Sequence, residues 1–184
     1  CWRFEAGSTP PSYIPTSGST VTRAAETLEV PAANMPAYTD AFSIQMDGTI
    51  TYADTNFSFQ GGFYNWPSGG TTFIRTNLET QGTRTGQVVF YQREAADGQF
   101  LISSGDGVYT PDINVPFNIA SRHGSTFFNG AVDGVALTTS TGPSVLADFS
   151  AANFDIGETF MGNVGKVRVW AEDIEDAGIV EAST

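Results

Sequence analysis

The chain has 184 residues, with 20 Asp and Glu against 8 Lys and Arg, and a net charge of −12. That balance repels nucleic-acid phosphate, and Arg84, Arg93, Arg122 and Lys166 stand apart rather than in a basic patch, so nucleic acid is not an expected partner. Cys1 and His123 are each the sole residue of their kind, which rules out an internal disulfide and a Cys/His zinc site, and no apolar run approaches the roughly 18 residues of a membrane span.

Trp2 and Phe4 alternate with Cys1 and Arg3 as in a short strand, which Gly7-Ser8-Thr9-Pro10-Pro11 ends. With Pro15 and intervening Ser and Thr, residues 1–20 read as an extended connector whose first five residues close an upstream module. The chain thus reads as the tail end of a longer polypeptide, with a second domain over 21–184.

Strand signals follow in succession. Thr27 to Val30 alternate, and Ala41 to Met46 place Phe42, Ile44 and Met46 on one face. Asp47-Gly48 reads as a tight turn returning through Thr49 to Tyr52. A Gly-rich aromatic loop is expected from Phe57 to Gly70. Strand character resumes at Thr72 to Arg75, Gln87 to Gln92 and Gln99 to Ile102, the last two joined around Asp97-Gly98. Val115 to Ala120 alternates, Ser125 to Phe128 leads into Asn129-Gly130 as a hairpin, and Asp133-Gly134 turns into Val135 to Thr138. Val167 and Val169 alternate with Lys166, Arg168 and Trp170 in a closing strand, and 172–182 is the one helical window. About ten short strands with almost no helix predict an all-β antiparallel sandwich or barrel. Phe42, Ile44, Phe117, Ile119, Val167 and Val169 are its expected interior residues.

Catalytic chemistry finds little support. Glycoside hydrolysis needs strand-borne carboxylates about 5–5.5 Å apart for retention, and no strand carries that pattern. The dense cluster Glu172-Asp173-Ile174-Glu175-Asp176 lies where acids favour a helix start. His123 has Ser121 and Ser125 nearby but no G-x-S-x-G elbow, and reads as a surface or hairpin histidine. No catalytic residue is assigned.

Binding is better served. Phe63, Tyr64 and Trp66 sit in the Gly-rich loop, where Tyr64 and Trp66 offer a stacking platform for a sugar. The competing expectation is that these rings cover the open face of the sandwich or pack on a neighbouring subunit. Tyr91 and Arg93, on alternate positions of one strand, form a second candidate surface. No metal ligand or cofactor is assigned. Calcium is the one ion the loop acids Asp106, Asp112 and Asp133 would suit, against the reading that they merely favour turns.

Three segments carry a resemblance. Ser12 to Ala25 is similar to a junction found in bacteriophage tail and fibre proteins. Ser125-Thr126-Phe127-Phe128-Asn129-Gly130 resembles the aromatic–Asn–Gly hairpin of laminin-G-like jelly rolls. The strand from Phe160 to Trp170, followed by the acidic helix with Ile174 and Ile179, resembles the C-terminus of concanavalin A-like domains, although Gly165-Lys166 stands where an acidic pair is usual. The resemblance implies a two-sheet concanavalin A-like jelly roll with a short C-terminal helix, in a phage or phage-like fibre or spike. It further implies a non-enzymatic receptor-binding module on the virion surface, extracellular when assembled. Its partners would be other virion subunits, most simply in a homotrimer, and a host cell-surface glycan. The alternative is an ancillary carbohydrate-binding module of a secreted bacterial enzyme, and after it a glycan hydrolase.

Overall fold

The structure is a computed structural model that describes residues 28–53, 60–157 and 161–184. The strand expected at 1–5, the connector at 1–20 and the junction at 12–25, with Trp2, Phe4, Tyr13 and Ile14, lie outside the described residues, as do Phe57 and Phe160.

Alternation builds two antiparallel sheets. The strands are β1 (Leu28–Val30), β2 (Ala41–Ile50), β3 (Gln60–Gly69), β4 (Thr72–Glu79), β5 (Val88–Glu94), β6 (Gly98–Ser103), β7 (Val115–Gly124), β8 (Phe128–Val132), β9 (Val135–Ala136), β10 (Phe154–Ile156) and β11 (Gly162–Trp170). Among the described residues one sheet has six strands in the order β1-β10-β3-β4-β5-β6, and the other five in the order β11-β2-β7-β8-β9. Helix α1 (Glu175–Ala182) follows β11. This is the two-sheet jelly-roll sandwich expected, with its short C-terminal helix. No helix among the described residues is long and apolar enough to cross a membrane.

The inner faces make one core. Phe42, Ile44 and Met46 from β2, Phe117 and Ile119 from β7, and Ile74, Leu78 and Phe90 from the facing sheet are all buried in it. Val167 and Val169 pack against this core from the edge strand β11 and are half-buried. Burying each large side chain is worth on the order of 1.5–3 kcal/mol, so the alternation of these residues fixes which face of each strand turns inward.

Three local readings are corrected. Asp47-Gly48 is no turn: β2 runs unbroken to Ile50, paired with β7 and β11. Glycine is required there because a Cβ at position 48 would lie 2.1 Å from the Asn163 carbonyl oxygen. Asn129-Gly130 is likewise mid-strand in β8. A Cβ on Gly130 would meet the Phe90 ring of the opposite sheet at 2.7 Å, so this glycine serves sheet packing. Asp133-Gly134, with φ of 46° and 77°, makes the β8–β9 turn. Finally, 60–69 is strand β3 rather than loop. Its bulges fall between Gly62 and Tyr64 and between Pro67 and Gly69, which accommodates the glycines and the proline that look like loop punctuation.

Candidate functional site

The bulge in β3 sends Phe63, Tyr64 and Trp66 inward. Trp66 has no exposed surface; its indole N–H donates to the Ala152 carbonyl at 3.0 Å, and Tyr38, Phe42, Phe149 and Phe154 surround its ring. Tyr64 stacks on Phe154 and bonds the Ser121 hydroxyl at 2.8 Å, and burial pushes its phenol up to about 12. Neither ring can stack on a sugar. The expected platform is a piece of the core between the sheets, neither a sugar platform nor a cover over an open sandwich face, because the bulge turns these rings inward.

His123 stands at the β7–β8 hairpin, one of the two positions expected, but its side chain is internal rather than on the surface. Its Nε2 lies 2.9 Å from Ser121 Oγ and its Nδ1 3.1 Å from Gln92 Oε1, whose amide nitrogen bonds the Gly124 carbonyl at 2.9 Å. This has the outline of a Ser–His dyad with an orienting amide. Yet Ser121 and His123 have no exposed surface, and Phe42 and Phe128 stack on the imidazole. Burial lowers the imidazole to about 3, so it is neutral at physiological pH. The dyad is sealed from any substrate and serves to satisfy buried polar atoms.

The acid cluster after β11 is structural. Arg122 Nη1 donates to Asp176 Oδ1 at 2.7 Å and Nη2 to Asp173 Oδ2 at 2.9 Å, while its guanidinium lies 4.2 Å from the Phe127 ring centre. Burial alone would raise Asp176, but hydrogen bonds from Asn129, Arg122 and Thr139 hold its carboxyl below the usual range. The loop acids do not converge on a cation site. Asp106 accepts from Gln87, Asp112 from the Ile113 amide, and Asp133 from Tyr109 and the Asn118 amide. Among the described residues no three acidic, His or Cys groups form a metal cluster.

The outer face of the six-stranded sheet is different. Across it, one register row runs Glu29, Asp155, Asn65, Arg75, Tyr91, Leu101, and the next runs Pro67, Phe73, Arg93, Gln99. The guanidinium carbon of Arg75 lies 4.7 Å from the centre of the Phe73 ring and 5.2 Å from that of Tyr91. That of Arg93 lies 5.8 Å from Phe73. Both arginines are half-buried. Among the described residues neither has a carboxylate partner, and the buried Nε of Arg75 has no acceptor. Of the second candidate pair, Arg93 lies over this face, whereas Tyr91 is almost wholly buried and seats a cation instead of facing a ligand. Arg75 was missed. Its signal is legible in retrospect: an arginine at the position of β4 directly opposite Tyr91.

No protein-family model matches the sequence, and no curated protein matches it. Solved structures do. The Ruminococcus gnavus IT-sialidase CBM40 bound to α2,6 sialyllactose superposes with a TM-score of 0.60 at 12% identity, covering 87% of this chain and 97% of that one. The botulinum neurotoxin serotype D binding domain gives 0.62 at 10%, covering 86% of this chain and 40% of that one. A leech intramolecular trans-sialidase gives 0.61 at 14%, covering 79% of this chain, which spans 23% of the leech enzyme. The likeness at these identities is one of fold: this chain shares with them a two-sheet, lectin-like jelly-roll β-sandwich.

Proposed function

We propose that this domain is a non-catalytic glycan-binding module that takes an acidic sugar on the outer face of its six-stranded sheet. The observation that carries the reading is the pair Arg75 and Arg93, without carboxylate partners among the described residues in a chain of net charge −12. With acids outnumbering bases 20 to 8, a half-buried guanidinium would readily have found an internal carboxylate. Two that share one aromatic seat match the carboxylate of an acidic sugar, which a guanidinium fork grips bidentately. Asn65, beside Arg75 in register, supplies an amide for hydroxyls. The R. gnavus CBM40 structures with α2,3 and α2,6 sialyllactose support the reading by showing what the same sandwich holds in another protein.

These neighbours favour an ancillary carbohydrate-binding module over a virion fibre or spike. The virion reading, with its trimer, its other virion subunits and its place on the particle surface, rests on residues 12–25 and stays a proposal tied to them. Calorimetric titration with α2,3 sialyllactose, α2,6 sialyllactose and lactose tests the function. The expected result is binding of at least one sialylated sugar in clear preference to lactose, weakening with added salt. Equal affinity for lactose and both sialylated sugars would reject the acidic-sugar reading.

A further inference from the structure

On the opposite side of the sandwich, the outer face of the five-stranded sheet holds a pocket of about 460 Å³ between the edge strand β11 and helix α1. Register places Lys166 beside Asp47, Arg168 beside Gln45 and Trp170 beside Ser43, so these β11 side chains share the face with those of β2. Helix α1 adds Glu181 from above. Ile174, Gly178 and Ala182 border the space from the helix side, while the buried Ile179 seats on Ala120 and Ala131.

Three features mark the pocket as built for a ligand. Gln45 is 1% exposed, and its amide nitrogen is committed to Asp47 Oδ2 at 3.0 Å and Asn118 Oδ1 at 2.8 Å. Both acceptors are oxygens, which fixes the amide orientation and leaves Oε1 as a buried acceptor with no donor. Second, two cations and two carboxylates line the space, and none of Lys166, Arg168, Asp47 and Glu181 is ion-paired with another. Third, Trp170 contributes a half-buried indole ring, in contrast to the wholly buried Trp66.

We infer that this pocket is a second carbohydrate site, for a neutral sugar. The charges at its wall balance, so a carboxylated ligand gains nothing here that Asp47 and Glu181 would not oppose. A neutral pyranose meets each group: a hydroxyl donates to Gln45 Oε1, others donate to Asp47 or accept from Lys166 and Arg168, and a C–H face rests on Trp170. A 460 Å³ space lies within the usual range for small-molecule sites, about 300–1,000 Å³. The domain is then bivalent, an acidic sugar on one sheet and a neutral sugar on the other. The two sites share no residue, so each stands or falls without the other.

The test is heteronuclear NMR on the whole domain, titrated separately with glucose, galactose and mannose. At least one of the three is expected to shift the Trp170 indole N–H and the Gln45 side-chain amide together. Trp170→Ala is expected to weaken that binding by about tenfold, the loss of one stacking contact, and Arg168→Ala to weaken it too. Both positions lie on the surface edge strand, so folding of the variants is checked by their retained core amide shifts. Arg75→Lys/Arg93→Lys leaves the hexose titration unchanged, and a sialyllactose titration of the same sample reports on the other face independently. No shift of Trp170 and Gln45 with any of the three hexoses overturns the inference, as does a Gln45 amide shift whose titration is unaltered in Trp170→Ala.

Discussion

Ser121 Oγ and His123 Nε2 stand 2.9 Å apart in the middle of the sandwich, where neither residue has any exposed surface. A pair that elsewhere activates a nucleophile here fills a polar gap between Tyr64, Gln92 and the aromatic rings of Phe42 and Phe128. The sheet makes this placement unavoidable: Ser121 and His123 alternate in β7 with the outward Arg122, so what faces the core from residue 119 must also face it at 121 and 123.

The first prediction concerns pH. His123 is lowered to about 3 in the folded protein from an unfolded value near 6.5, so the unfolded chain binds the extra proton first. Stability is therefore full above about pH 6.5 and falls as pH drops toward 3, at up to about 1.4 kcal/mol per pH unit. Urea midpoints measured between pH 7 and pH 5 should show that slope, and His123→Gln should flatten it in this range, before carboxylates titrate. An unchanged slope in His123→Gln would assign it to other groups.

Ser121→Ala should cost about 1–3 kcal/mol, because it leaves the Tyr64 hydroxyl and the imidazole without their shared partner. Sialyllactose affinity should stay as it is, and no release of sugar should be detected from either protein. Turnover abolished by Ser121→Ala would establish an enzyme and overturn the reading of this network as structural.

Gly130 and Phe90 set the spacing between the sheets. Gly130→Ala puts a methyl group 2.7 Å from the Phe90 ring and should cost about 1–3 kcal/mol through overpacking. Thermal unfolding checks this, and adding Phe90→Leu should recover part of the loss. A neutral Gly130→Ala would show that the sheets are not held at this contact.

Arg122 ties α1 to β7 through Asp173 and Asp176. The arginine side chain is 13% exposed and Asp176 48%, so solvent screens part of the attraction, and Arg122→Ala should cost about 1–3 kcal/mol. Hydrogen exchange is expected to accelerate across 175–182 while the amides of β2 and β7 keep their protection. Uniform acceleration throughout would mean that the helix is part of the global folding unit.

The layering was legible in the sequence because a period of two survives wherever one strand face is buried; Phe42, Ile44, Phe117 and Ile119 sit where alternation puts them. What misled was punctuation. Gly48 and Gly130 look like turn glycines, yet their missing side chains make room for the Asn163 carbonyl and the Phe90 ring, neighbours more than 35 residues away in the chain. The same limit applies to the proposed site. Trp66 is conspicuous in the sequence but faces inward through a bulge that nothing local announces. Arg75 is inconspicuous, and gains meaning only when pairing brings Phe73, Tyr91 and Arg93 around it. The strand β10 (Phe154–Ile156) was missed because three residues are too few to show a period.

The central claim is that Arg75 and Arg93 grip an acidic sugar, and the most direct measurement is the affinity of Arg75→Lys/Arg93→Lys for α2,6 sialyllactose beside that of the unaltered domain. Lysine keeps the charge and loses the fork, so net charge is held constant. The account predicts a loss of at least about tenfold, with Arg168→Ala on the opposite sheet binding as before. Undiminished binding by the double lysine variant, or a matching loss in Arg168→Ala, would contradict it.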